Sequence, residues 1–174
     1  MSKIEVDAIE PQSGTTLTLG ASGDTIALAS GVTSGAGMGK VLQVVQGTTT
    51  TPVTISTTTP TDTGLSASIT PTSASSKVLV LVSQWTTKLT GGLNNQGAST
   101  YIKRDSTTVI SNYLSGITEP EITRLRWYES ISVLDSPNTT SAVTYKTQVR
   151  ADNGNITVQY DNIKSTIILM EVAG

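Results

Sequence analysis

The sequence contains neither cysteine nor histidine, and no phenylalanine. Without thiol or imidazole, the chain has no disulfide, no cysteine nucleophile, no histidine base and no zinc ligand other than carboxylate. Charge is scarce as well. Charged residues make up 14% and the formal net charge is -2, so no basic field marks nucleic acid or an anionic membrane as a partner. No apolar run approaches the roughly 18 residues of a membrane-crossing helix. Residues 1–7 are charged where a secretory signal carries its apolar stretch, so no signal peptide is expected. Helical periodicity is missing too: no window holds apolar residues at i, i+3, i+4 and i+7 over three turns.

What is present is threonine above all, with serine, glycine and valine. Thr and Val favour strands, Gly and Ser favour turns, and the chain reads as all-β. Its most apolar run is Val78-Leu79-Val80-Leu81-Val82, echoed by Ile167-Ile168-Leu169-Met170. Side chains alternate across a strand, so runs without polar members are expected to be covered on both faces, by a second sheet or by a neighbouring subunit.

Residues 1–32 read as an arm. Ile4 and Val6 alternate with Glu5 and Asp7, and two short units follow, with Leu17 and Leu19 in the first and Ile26 and Leu28 in the second. Strands with two apolar side chains each cannot stabilise themselves, so Ile4, Val6, Leu17, Leu19, Ile26 and Leu28 are assigned to attachment or oligomerisation against partner chains. Residues 33–39, with three glycines, form a linker. A phosphate-cradling loop there would need Walker spacing and a following helix, and has neither.

Residues 40–174 read as a β-sandwich of jelly-roll type. Strands are expected at 41–46, 53–56, 65–69, 78–85, 101–103, 108–110, 125–133, 143–149, 156–160 and 165–172, with turns every 8–12 residues. Residues 90–97 and 111–123 are expected as exposed loops. Asp152-Asn153-Gly154-Asn155 offers the positive-φ positions of a hairpin turn.

Little in this domain points to chemistry. Its acidic residues, among them Asp105, Glu129, Asp135 and Asp161, show no metal-loop spacing, and no cofactor or metal is expected. A convergent carboxylate pair would make a hydrolase, and no aromatic-rich groove pattern accompanies one. Most of the two tryptophans and five tyrosines are expected to fill the core of a domain that has no Phe. Tyr113, placed in a loop, and Tyr128, on a charged strand face, are the candidates for stacking on a sugar. The sequons at Asn138 and Asn155 are expected by chance in so Thr-rich a chain.

Several segments carry a family resemblance. The opening Ser2-Lys3-Ile4-Glu5-Val6-Asp7, the stretch 14–20 and Gly23-Asp24-Thr25-Ile26 resemble N-terminal segments of tail-fibre-like virion proteins of marine bacteriophages, cyanophages especially. Residues 40–45, 73–80, 134–140, Thr144-Tyr145-Lys146 and 168–172 are similar to the C-terminal domain of such proteins. The resemblance implies a homotrimer with an N-terminal part on the virion and a C-terminal β-sandwich knob, assembled in the host cytoplasm. It also implies other virion proteins, of tail or capsid, as partners and a host-surface glycan as an outward target. The chain departs from that pattern in length, because a Gly-rich linker stands where a long shaft would be. The expectation is therefore a non-enzymatic short fibre or knob. A capsid or tail decoration protein without a receptor role, and a free carbohydrate-binding module, are the alternatives.

Overall fold

A computed structural model describes residues 41–89, 96–117, 124–152 and 154–174. The chain divides into two units, Met1–Met38 and Gly39–Gly174, and every described residue belongs to the second. The proposed arm and linker lie outside the described residues.

Among the described residues ten strands follow one another: β1 (Val41–Thr49), β2 (Val53–Ile55), β3 (Thr61–Ile69), β4 (Lys77–Leu89), β5 (Gln96–Arg104), β6 (Thr107–Ile117), β7 (Arg124–Asp135), β8 (Val143–Ala151), β9 (Asn155–Val158) and β10 (Ser165–Val172). The eight long ones pair in a nested way, all antiparallel: β1 with β10, β3 with β8, β4 with β7 and β5 with β6. The chain is thus one long hairpin rolled up around a tip at Asp105-Ser106, where Asp105 takes φ 52°. The tip is tied down on β8 by a hydrogen bond from Asp105 N to Thr144 O and another from Thr144 N to Asp105 Oδ1.

Rolling gives two sheets, β1-β10-β4-β7 and β3-β8-β5-β6, which is the strand order of a jelly roll. The all-β sandwich expected from the sequence is what forms. β2 and β9 extend the first sheet, β9 pairing with the end of β4 that β10 does not reach. They are continuations of β1 and β10 past two breaks. Pro52, which has no N–H to give a ladder, lies in the first break. Gln159, Asp161 and Asn162, with φ of 52°, 59° and 57°, make the second.

Alternation decides the interior. On β3, β8 and β10 every second residue is buried. The larger apolar cluster includes Leu65, Ile69, Val80, Ile102, Ile167 and Leu169, and a smaller one gathers Ile55, Val149, Ile156 and Val158. Each such side chain contributes about 1.5–3 kcal/mol by leaving water. Buried polar side chains sit in the sandwich as well. Thr147 Oγ1 donates to Gln84 Oε1 at 2.6 Å and also meets Thr63 Oγ1, so two sheets are joined by hydroxyl and amide contacts.

The two long edges of the sandwich differ. At one, β1 lies hard against β3: a Cβ on Gly47 would fall 2.0 Å from Ser66 O, so only glycine allows that approach. At the other, β6 and β7 are edge strands of different sheets, each hydrogen-bonded to one neighbouring strand among the described residues.

Several sequence expectations are corrected. β3 starts at Thr61, because the Thr-rich stretch after Pro60 is strand and not connection. β4 runs on to Leu89, four residues past Trp85, through Thr86, Thr87 and Lys88, whose polarity hides a buried segment. β6 extends to Ile117, so much of the expected 111–123 loop is strand; residues 118–123 lie outside the described residues, as do 90–95. The Asp152–Asn155 turn joins β8 and β9, which belong to different sheets, so it carries the chain across the sandwich and closes no hairpin. Asn-Gly chemistry favours a sharp reversal, but does not say which strand becomes the neighbour. β9 stops at Val158, so Tyr160 is not a strand residue.

Candidate functional site

Two surfaces of this sandwich depart from what a solvated antiparallel sheet presents. The first is the outer face of β1-β10-β4-β7. The register places Val44, Met170, Leu79 and Leu134 side by side in one row across all four strands. The next row holds Gln46, Ile168, Leu81 and Ser132, and the one after it Thr48, Thr166, Ser83 and Ser130. Val44 is 56% exposed and Leu134 52%, while Leu79, Leu81, Ile168 and Met170 are half-buried. The three rows contain no charge. A shallow depression of about 280 Å³ opens over Leu81, Ser83, Ser130, Ser132, Thr166 and Ile168. The core buries the inner faces of 78–82 and 167–170, and within one chain their outer faces are only partly covered.

The second surface is a groove along the open edge of the sandwich, about 380 Å³, lined by Asn112 and Tyr113 of β6 and by Trp127, Tyr128, Glu129 and Ser130 of β7. Tyr113 is 61% exposed and Tyr128 52%. The sequence expectation put Tyr113 in a loop; it stands on β6 instead, and the two tyrosines line one groove. Gly97 on β5 makes room for Tyr113, since a Cβ there would lie 2.7 Å from its Oη. Tyr128 is steadied by Trp85, its register partner on β4, with ring centroids 4.9 Å apart at 55°. At the base, Glu129 accepts a hydrogen bond from Thr100 Oγ1 at 2.6 Å. Burial raises the Glu129 carboxyl above its ordinary value, and the Thr100 bond offsets this only in part.

Asn112 and Ser130 carry no signal in the sequence, while Glu129 stands there only as one acidic residue among several and Trp127 as a residue of one strand face. A signal existed for one of them: Glu129 interrupts the apolar alternation Leu125, Trp127, Ile131, Val133 on β7. The aromatic expectation is also corrected, because among the seven aromatic side chains only Tyr145 is fully buried. Aliphatic side chains fill the core around Tyr145; Tyr113 and Tyr128 are exposed, and Trp85, Tyr101, Trp127 and Tyr160 are half-buried.

Other polar clusters hold the fold. Asp135 on β7 accepts from Arg104 of β5 and, at 2.7 Å, from the Tyr145 hydroxyl of β8, which joins the two sheets. Burial pushes the Tyr145 phenol up, reinforced by the Asp135 carboxylate. Glu171, fully buried on β10, accepts from Gln43 Nε2 at 2.6 Å and from Thr72 N and Oγ1 at 2.7 Å each. Burial alone would raise this carboxyl, but these donors outweigh it and hold it at about 2. Arg124 and Arg126 lie over the Tyr160 ring, at 5.0 and 5.3 Å from its centre, and Arg126 also pairs with Asp161. Among the described residues, no three carboxylates gather as a metal site would require. Ile4, Val6, Leu17, Leu19, Ile26 and Leu28 lie outside the described residues.

No protein-family model matches the chain, and no curated protein matches it in sequence. Among solved structures, the chain is similar to one described as the structure of infectious bursal disease virus Gt strain. The TM-score is 0.35 and the identity 12%, over 76% of this chain and 38% of that one. The chain therefore spans well under half the length of that protein. The fold is read from the strand order, and not from this likeness.

Proposed function

We propose that this protein is a non-enzymatic structural component of a phage virion, a short fibre or knob that assembles as a homotrimer. Residues 1–32 attach it to tail or capsid proteins, and the sandwich faces outward. The observation that carries the reading is the uncharged apolar face of β1-β10-β4-β7. An antiparallel sheet facing water normally alternates apolar inside with polar outside. This one places Val44, Met170, Leu79 and Leu134 outward in a row. Covering an apolar patch of a few hundred Å² is worth on the order of 5–10 kcal/mol before the entropy of association is subtracted. A second copy of the chain fits, because an uncharged face meets no like-charge repulsion from its own kind. The number three comes from the family resemblance, and closed rotational symmetry would bury one such face per subunit.

Light scattering on the intact chain tests this reading. The expected mass is that of a trimer at tens of micromolar, falling to a monomer for Leu81→Glu with the β circular dichroism retained. A monomeric intact chain, or a trimer indifferent to Leu81→Glu, would remove the support.

A further inference from the structure

We infer that neighbouring copies meet row on row across the face of β1-β10-β4-β7, with the symmetry axis of the assembly along the strands, so that Val44 of one copy lies against Leu134 of the next. The inference rests on the self-association proposed above and deepens it by naming which residues meet.

The polarity of this face changes along its strands. At one end the outward row holds Val41, Val172 and the exposed Lys77. The aliphatic row from Val44 to Leu134 follows, then the mixed row from Gln46 to Ser132, then the hydroxyl row from Thr48 to Ser130. Rotation about an axis along the strands exchanges β1 with β7 and β10 with β4, because the midline of the face runs between β10 and β4. Every row then keeps its own height, and each position meets its own kind. Val44 meets Leu134 and Met170 meets Leu79; one row on, Gln46 meets Ser132 and Ile168 meets Leu81. The last row sets hydroxyl on hydroxyl, and Lys77 stays at the rim.

An axis across the strands reverses the order of the rows instead. Centred on the mixed row, it lays the aliphatic row on the hydroxyl row and cuts four hydroxyls off from water. Centred on the aliphatic row, it brings Lys77 to the level of Leu81 and Ile168, where an ammonium finds no partner. Centred between those two rows, it covers Gln46 with Val44 and Ser132 with Leu134. Val44 and Leu134 are also the most exposed members of the aliphatic row, so they gain most by meeting.

Thiol cross-linking of the intact chain tests this, since the sequence has no cysteine of its own. Two matched pairs, Val44→Cys with Leu134→Cys and Thr48→Cys with Ser130→Cys, are compared with the mismatched pair Val44→Cys with Thr48→Cys and with each single substitution. Within one chain β1 and β7 are about 14 Å apart, and positions 44 and 48 about 13 Å, so a bifunctional thiol reagent shorter than either links only different copies. Both matched pairs are expected to give a covalent species of the full assembled mass. They should link at least about tenfold faster than the mismatched pair or any single variant, because facing thiols act at millimolar effective concentration. The Thr48 and Ser130 pair removes no aliphatic side chain, and by itself carries the test where loss of Val44 and Leu134 loosens the assembly. Linking of the mismatched pair or of a single variant as fast as the matched pairs would overturn the inference. So would unlinked matched pairs in variants that light scattering shows to be assembled, and either result leaves self-association standing. A monomeric intact chain would overturn self-association itself, and the inference with it.

Discussion

The two sheets share a core, yet their outer faces are opposites. On β1-β10-β4-β7 the outward rows are aliphatic or hydroxylic and carry no charge across the middle of the sheet. On β3-β8-β5-β6 the outward positions include Asp62, Ser66, Ser68, Thr144, Lys146, Gln148 and Arg150. There Lys146 Nζ donates to Asp62 Oδ2 at 2.8 Å and Gln148 Nε2 to Asp62 Oδ1 at 2.7 Å. Both faces are made by the same alternation, and both sheets bury the same kind of inner row. The difference teaches that one face concentrates the charges and the other carries none across its middle rows. In a small β-protein that distinction is carried by the residues that do not enter the core.

The strongest way to break this comparison is a charge on each face in turn. Leu81→Glu would bury an unpaired carboxylate in any contact made by the apolar face, and should weaken self-association by about a thousandfold or more. Ser66→Glu on the other sheet should leave the solution mass unchanged.

Carboxylates sharpen the contrast next. Glu171, behind the apolar sheet, is held by three donated hydrogen bonds, so Glu171→Gln should cost about 3 kcal/mol in urea unfolding at pH 7. Its folded pKa, about 2, lies below the ordinary 4.5. The stability it contributes is therefore complete above 4.5 and lost as pH falls toward 2, and the gap between wild type and variant should close over that window. Gly47→Ala, at the closed edge, should cost about 2 kcal/mol by forcing β1 away from β3.

Glu129 at the open edge should behave in the opposite sense to Glu171. Its pKa is raised by burial, so its ionised form opposes folding. Glu129→Gln is expected to raise the urea midpoint at pH 7, and that gain should vanish as the pH falls below the ordinary carboxylate range. The smallest effect belongs to the polar face. The Asp62 carboxyl loses solvation there, but its bonds to Lys146 and Gln148 outweigh this and lower its pKa. The pair is exposed to solvent, so Asp62→Asn should cost less than about 1 kcal/mol and less still at high salt.

Much of this architecture was legible along the chain. The run at 78–82, the alternation of Val143, Tyr145 and Val149, and the turn residues between strands announce an all-β sandwich, because period-two burial is a local property. Strand ends were less legible. Thr61 to Thr63 and Thr86 to Lys88 look like connection and are ladder, with Thr63 and Thr86 to Lys88 buried, since polar residues that find partners inside a sandwich carry no outward mark. The groove was half legible. Tyr113 and Tyr128 stood out as single aromatics in a chain poor in them, but they are fifteen positions apart and nothing local brings them to one place.

The sequence by itself determined the class of fold, the absence of thiol and imidazole chemistry, and which strands have no polar face. Those properties follow from residue type and from a period of two. Only the tertiary structure decided that β6 and β7 end up as facing edges, that Val44, Met170, Leu79 and Leu134 fall into one row, and that the Asn-Gly turn crosses between sheets. Each depends on register between strands far apart in the chain, which is set by the summed burial of whole rows and not by any residue alone.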